Sequence, residues 1–132
     1  MPNFREIGGG PTGSIENTSA DGLELNTVIE TTEAITSASN VLTIDLTGPG
    51  TKTHTMTENT TIAFSGGTSG VEQNVTIKLT QHASAAKTLT LPSGSTLFTA
   101  LPDITTVGVK ARYTFSSDDG FTTYDVYGVA EQ

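Results

Sequence analysis

Apolar side chains alternate with threonine at a period of two along most of the chain after residue 39. Leu42, Ile44 and Leu46, for example, alternate with polar neighbours. A period of two places successive side chains on opposite faces of a strand, and β-branched threonine suits the solvated face. The chain also contains 26 Thr and 14 Gly among 132 residues, and both residue types are poor helix formers. The pattern predicts an all-β domain and excludes a helical bundle.

The alternating segments are short and are separated by turn residues such as Gly48-Pro49-Gly50 and Glu58-Asn59. The predicted strands cover approximately residues 42–46, 51–57, 60–65, 75–80, 89–91, 107–115 and 121–130. Such spacing is typical of an antiparallel sandwich or barrel. We therefore predict an antiparallel β-sandwich, jelly-roll or Ig-like, of about seven or eight strands over residues 39–132.

The inward face of the last predicted strand is ambiguous from the pattern alone. Either Tyr124 and Val126 or Phe121 and Tyr127 face the core. Before that strand, residues 116–120 end in Asp-Asp-Gly, whose members tolerate positive φ, and we predict a turn there.

Residues 1–38 differ from the rest and are predicted to form an extended N-terminal arm. No Lys or Arg occurs between Glu6 and Gly50, and the arm has too few apolar residues to offset the entropy of ordering it alone. Residues 23–30 nevertheless alternate as a strand does, whereas residues 31–40 are predicted to be a loop. The arm is thus a disordered tail, packs on its own domain, or contacts another chain. For the last case the expected contact residues are Phe4, Arg5, Ile7, Leu23, Leu25 and Ile29.

Charge and composition exclude several classes of partner. The formal net charge is −8, which disfavours binding to nucleic-acid phosphates and to anionic membrane surfaces. No apolar run approaches the roughly 20 residues of a membrane span, and the N-terminus lacks a signal-peptide pattern. The chain has no cysteine and therefore no disulfide or thiolate site. We expect a chain made in a host cytoplasm that binds neither nucleic acid nor membrane.

Residues able to carry catalysis are few. His54 lies among threonines in a predicted strand, where an exposed structural role is expected, and His82 is expected in a loop. Asp118 and Asp119 supply too few spaced oxygens for a calcium loop and fit a hairpin turn better. Nucleophile, zinc-protease and phosphate-loop motifs are absent. We expect no enzyme activity, no metal and no cofactor.

Four segments together resemble a small β-sandwich module of tailed-bacteriophage virion surface proteins. They are residues 55–65, 75–81, 88–92 and 116–120, the last preceding a tyrosine-bearing strand. The module occurs in capsid decoration (cement) proteins, head fibres and tail-fibre segments. The resemblance covers roughly residues 40–130 and implies a structural role without catalytic residues.

The resemblance and the composition together predict a decoration protein on the capsid surface of a virion. It would bind the major capsid protein through its arm and stabilise the shell. A closed homo-oligomer would cover exposed sheet edges, and decoration sites at local three-folds favour a homotrimer. The alternative is a structural or glycan- or receptor-binding module of a tail or fibre. Scarce aromatic residues and the lack of Trp argue against the glycan-binding form.

Overall fold

The computed structural model describes residues 4–7, 14–17 and 30–131, and all regular structure in these ranges is β. Its strands are β1 (Phe4–Ile7), β2 (Ser14–Asn17), β3 (Thr32–Ala34), β4 (Val41–Asp45), β5 (Thr51–Thr55), β6 (Thr60–Ser65), β7 (Ser69–Thr80), β8 (Leu89–Thr90), β9 (Ser95–Leu97), β10 (Lys110–Asp119) and β11 (Tyr124–Glu131). The predicted all-β class is confirmed. None of the described residues belongs to a helix, so none belongs to a long apolar helix of the kind that crosses a membrane.

The chain alternates between two sheets as it passes from β3 to β9. The larger sheet has the order β3-β5-β7-β10-β11-β9, and the smaller has the order β4-β6-β8. Each strand between β3 and β8 therefore pairs with the strand two places away in sequence, and these pairs are parallel. A separate antiparallel pair joins β1 to β2.

The prediction of purely antiparallel pairing is wrong. Only β7–β10 and β10–β11 are antiparallel in the two larger sheets, and β9 also pairs with β11 in parallel. The turn residues after β4 and β5 do end those strands as predicted, but they carry the chain across to the opposite sheet. A strand that returns after visiting the other sheet runs in its original direction, which makes the pairing parallel.

Residues 31–40 are not wholly a loop, because Thr32–Ala34 form β3 and pair with residues 51–53 of β5. The backbone N–H of Ile35 continues this attachment by donating to the Thr53 carbonyl at 2.9 Å. Ser39 and Asn40 then both adopt positive φ, 52° and 65°, in a tight turn into β4. Positive φ at two adjacent positions suits a two-residue turn. The boundary placed between an arm and a domain after residue 38 stays a prediction, although β3 lies on its N-terminal side.

One hydrophobic core collects the inward side chains of both sheets, and the predicted alternation is confirmed in β4, β7 and β10. The fully or nearly buried members are Leu42, Ile44, Met56, Ile62, Val75, Ile77, Leu79, Ala111, Tyr113, Phe115, Phe121, Tyr124 and Val126. In β11 the correct inward pair is Tyr124 and Val126, whereas Tyr127 is exposed. Val107 lies outside β10 and is also exposed.

The turn predicted at residues 116–120 lies further along the chain. β10 continues to Asp119, and the reversal is made by Gly120 and Phe121, which have φ of 75° and 65°. Phe121 is nevertheless buried, with its ring centroid 4.4 Å from that of Phe64. Burial of the ring offsets the strain of a left-handed backbone at a residue other than glycine.

Candidate functional site

The predicted arm contacts fall partly within the described residues. Phe4, Arg5 and Ile7 belong to β1, where their backbones pair with Asn17, Glu16 and Ser14 of β2. Leu23, Leu25 and Ile29 lie outside the described residues. The role of all six residues in binding a partner stays a prediction.

Four exposed apolar side chains of the described residues, including the three most exposed large ones, lie where the larger sheet ends at β9. We call this cluster the β9 edge and define it by Leu97, Phe98, Tyr127 and Val129, which are 55%, 56%, 43% and 58% exposed. The rings of Phe98 and Tyr127 stack with their centroids 5.1 Å apart and their planes at 17°. Grouped apolar side chains of this kind mark interaction sites more often than isolated ones do.

Backbone and side-chain contacts hold β9 firmly against β11. The Tyr124 backbone N–H donates to the Gly94 carbonyl at 3.0 Å, and the Tyr124 hydroxyl donates to the Pro92 carbonyl at 2.6 Å. Three register pairs, ending with Leu97 opposite Val126, complete the attachment. The β9 edge is therefore a preformed surface on a strand whose outer side pairs with no other strand among the described residues.

Polar and charged side chains of both signs, Asp125 and Glu131 among them, border the β9 edge on the outer face of the larger sheet. Thr114 lies opposite Tyr127, and Arg112 lies opposite Val129. The Arg112 guanidinium contacts the Glu131 carboxylate, with 2.9 Å between Nη2 and Oε1. An apolar centre with a polar, charged border is the usual anatomy of a protein-binding surface.

The same outer face carries a row of threonines across four strands. Thr114, Thr76, Thr51 and Thr32 are successive register partners in β10, β7, β5 and β3. The Oγ1 atoms of Thr76 and Thr114 lie 3.0 Å apart, within hydrogen-bond distance. The solvated threonine face predicted from the alternation is thus present, and it extends from the β9 edge to the opposite end of the sheet.

The prediction of an exposed His54 is wrong, because β5 turns both Lys52 and His54 inward. Lys52 is fully buried and His54 is 4% exposed. The Lys52 ammonium pairs with the Glu33 carboxylate, and His54 Nδ1 lies 3.0 Å from the Ile35 carbonyl oxygen. Both partners come from β3 or the residue after it. The two buried side chains, Lys52 and His54, therefore attach β3 to β5.

Asp119 organises the turn between β10 and β11. Its carboxylate accepts hydrogen bonds from the Thr123 hydroxyl at 2.6 Å and from the Thr123 backbone N–H. These bonds lower the pKa of Asp119 to about 2 from its ordinary value of 3.8. Ser117 adds a contact, with its Oγ 2.9 Å from Asp119 Oδ1. This carboxylate therefore serves the turn between the two strands, and the expectation that no cation binds here stays a prediction.

Asp118 lies beside the turn and lines an open polar cleft of about 180 Å³ together with Glu72 and Asp125. Glu72 accepts a hydrogen bond from Ser116 in the cleft. Among the described residues there is no group of three or more His, Asp or Glu side chains arranged to hold a metal ion. His82 lies in a loop, as predicted, where its Nδ1 accepts from the backbone N–H groups of Ser84 and Ala85.

Sequence reasoning missed the β9 edge. The predicted strands do not include Phe98, and the alternation leaves open whether Tyr127 faces the core. A usable signal was present in the apolar pair Leu97-Phe98, which follows Ser95-Thr96 and lies between Gly94 and Pro102. Comparison of the chain with protein-family models, with curated proteins and with solved structures finds no match.

Proposed function

We propose that this chain is a structural virion protein, a capsid decoration protein that binds the outside of a phage shell and stabilises it. The observation that carries the proposal is the location of the four segments that resemble the virion module. Residues 55–65, 75–81 and 88–92 contribute to β5–β6, β7 and β8, and their large apolar residues belong to, or pack against, one core, whereas residues 116–120 contain the end of β10. The resemblance therefore involves the framework of the domain rather than scattered loops.

The finer architecture belongs to the same proposal: the two sheets form a β-sandwich. Leu42, Ile44 and Ile62 of the smaller sheet share a core with Ile77 and Phe115 of the larger one. Side chains from two sheets that interdigitate across a common core are the defining feature of a sandwich. A compact sandwich with one apolar edge suits a subunit that assembles on a larger surface.

The arm, residues 1–38, is proposed to bind the major capsid protein. Phe4, Arg5 and Ile7 lie in β1, which together with β2 forms a sheet separate from those of the domain. Two apolar side chains and a guanidinium within four residues offer both burial and a partner for a carboxylate. The proposed assembly is a homotrimer on the capsid surface, made in the host cytoplasm, with no catalytic role.

The anchoring role is tested by deleting residues 1–20 and measuring binding to purified particles. We expect the domain to keep its cooperative thermal melt, because its core lies within residues 42–126. Binding should fall by about tenfold or more, since at least two buried apolar side chains would be lost. Full-length protein carrying Phe4→Ala and Ile7→Ala is the matched variant and should also bind weakly. A truncated protein that decorates particles as well as full-length protein contradicts the proposal.

The decoration role itself is tested by stoichiometry. Mass spectrometry of purified particles should find this chain among the most abundant virion proteins relative to the major capsid protein. A copy number of only a few per particle contradicts decoration and supports a tail or fibre location.

A second candidate, a glycan- or receptor-binding module of a tail or fibre, is favoured by one observation. The stacked Phe98 and Tyr127 rings are exposed, and exposed rings offer faces or edges to sugar C–H groups. Thr114 beside them offers a hydroxyl to a sugar. Saturation-transfer NMR with host surface glycans tests this role, and signals that vanish in Tyr127→Ala would support it over decoration.

A further inference from the structure

The β9 edge has uncovered apolar side chains on both faces of the larger sheet, one at the end of β9 and one in the residue that follows it. Leu97 is the register partner of Val126 and so lies on the core side, whereas Phe98 stacks on Tyr127 of the outer face. The two side chains are 55% and 56% exposed. A terminal strand with unpaired backbone groups beside exposed apolar side chains is suited to receive one more strand.

We infer that the outer side of β9 receives residues 22–30 of a second copy of this chain. The inference deepens the proposed homotrimer and rests on it. In this inference the alternating segment of the arm pairs with β9 of another copy, and the β9 edge is covered by that segment.

Topology rules out donation of this segment within one chain. Residue 30 lies two residues before β3, and β3 and β9 are the opposite ends of the six-stranded sheet. Five strand spacings separate them, which is about 24 Å along the sheet. Residues 22–29 span about 26 Å when fully extended, so the segment cannot cross the sheet and also lie along β9. A neighbouring copy whose β3 end meets this β9 edge has no such obstacle.

The side-chain pattern of the segment matches the two faces of β9. One set of alternate positions contains Leu23, Leu25 and Ile29, which suit the core side next to Leu97. The other set contains Glu24 and Glu30 and would lie on the outer face of the sheet. That face carries Lys110 and Arg112 on β10, but β11 lies between β10 and β9 and carries Asp125 and Glu131 on the same face. The match between the segment and β9 therefore rests on its apolar positions.

Donation from the β3 end of each copy to the β9 edge of the next is a head-to-tail contact. Such contacts close into a ring when the rotation between copies divides a full turn, and three copies close the proposed trimer. Every copy then donates one strand and accepts one strand, which leaves no β9 edge exposed.

The test uses full-length protein and light scattering to measure molar mass. Leu97→Glu disables the acceptor and Leu25→Glu disables the donor, and each should convert the trimer to monomer, because a buried carboxylate opposes association. Val71→Glu is the matched control, since Val71 is 49% exposed on β7, a different strand from β9. It should remain trimeric. Leu97 is already largely exposed, so thermal melts of the monomeric variants should show an intact fold.

Mixing the two disabled variants in equal amounts gives the decisive measurement. The Leu97→Glu chain keeps an intact donor and the Leu25→Glu chain keeps an intact acceptor, so one functional contact remains. The mixture should form dimers that do not close. A mixture that stays monomeric, or that restores trimers, overturns the inference.

A crosslink identifies the contact directly, because the chain has no cysteine of its own. Full-length protein with Leu25→Cys and Leu97→Cys should form, on oxidation, a covalent species that stops at three chains. A crosslink confined within single chains overturns the inference and shows that the arm packs on its own domain.

The failures of the two proposals are distinguishable. A wild-type trimer that is unchanged by Leu97→Glu overturns this inference and leaves the proposed function intact. A wild-type protein that is monomeric both in solution and on particles overturns the proposed trimer as well. Loss of glycan binding in Leu97→Glu, with no change in molar mass, overturns the inference in favour of the glycan-binding role.

Discussion

The side-chain amide of buried Gln81 donates a hydrogen bond to the Ile104 carbonyl at 2.7 Å, which ties the end of β7 to the long segment between β9 and β10. The same amide nitrogen donates to the Lys87 carbonyl at 2.8 Å. Its oxygen accepts from the backbone N–H groups of His82 and Lys87. One side chain thus satisfies four backbone groups from two loops.

Replacing Gln81 should be among the most damaging single changes in the domain. Gln81→Met keeps the approximate volume but leaves two carbonyls and two N–H groups without their partner, which should cost about 3 kcal/mol of unfolding free energy. Urea unfolding measures the effect. Gln73→Met is the control, because Gln73 accepts only from the Thr68 backbone N–H near the surface, and it should cost under about 1 kcal/mol. Equal effects of the two changes would contradict the assigned role of Gln81.

The Lys52–Glu33 pair should respond asymmetrically to mutation. Glu33→Ala leaves the fully buried Lys52 ammonium without its carboxylate partner. We expect a loss of about 2 kcal/mol of unfolding free energy, because water that reaches the half-exposed Glu33 position can hydrate the ammonium in part. Lys52→Met removes the buried charge itself and should cost less than Glu33→Ala. The exposed pair Arg112–Glu131 provides the control, and Glu131→Gln should change stability by under about 1 kcal/mol. A larger loss for Lys52→Met than for Glu33→Ala would refute this account.

Asp119 should make the turn after β10 sensitive to acid. Its pKa is about 2 in the folded chain against an ordinary 3.8, so the ionised form is favoured by folding. The associated stability is fully present above the unfolded value and disappears as the pH falls from 3.8 through about 2. Asp119→Ala should therefore lower the melting temperature at pH 6, and the difference from wild type should shrink toward pH 2. Asp118→Asn removes a charge from the neighbouring exposed position and should not reproduce this pH dependence.

Gly128 should not tolerate a side chain. A Cβ atom at this position of β11 would lie 2.5 Å from Pro102 Cδ and 3.2 Å from Leu101 Cδ2. Gly128→Ala should displace the segment that covers the end of the core and cost about 1–3 kcal/mol. In the control Gly50→Ala the nearest atom outside the adjacent residues would be 3.9 Å away, so stability should be almost unchanged. Crystallography or chemical-shift changes at Leu101 would locate the displacement, and an unperturbed Leu101 would contradict the mechanism.

Much of the local structure could be predicted from alternation alone. Leu42 and Ile44, and likewise Ile77 and Leu79, face inward as their spacing requires, because a strand has only two faces and apolar side chains gain by sharing one of them. The turn residues at 48–50 and 58–59 also mark true chain reversals or crossings.

Other features required the tertiary structure. A Gly-Pro-Gly sequence ends a strand but does not specify whether the chain returns beside that strand or crosses to the other sheet, and this choice decides parallel against antiparallel pairing. Lys52 and His54 are polar, so the sequence pattern predicts an exposed face for them. They face inward because β3 and the residue after it provide the Glu33 carboxylate and the Ile35 carbonyl as partners. Phe98 and Tyr127 become neighbours only because β9 joins β11 across 29 residues of chain.

The sequence by itself determined which residues form strands and which faces are apolar, because those properties depend on near neighbours. Strand partners, buried ion pairs and the apolar edge depend on contacts between distant segments, and only the tertiary structure decided them.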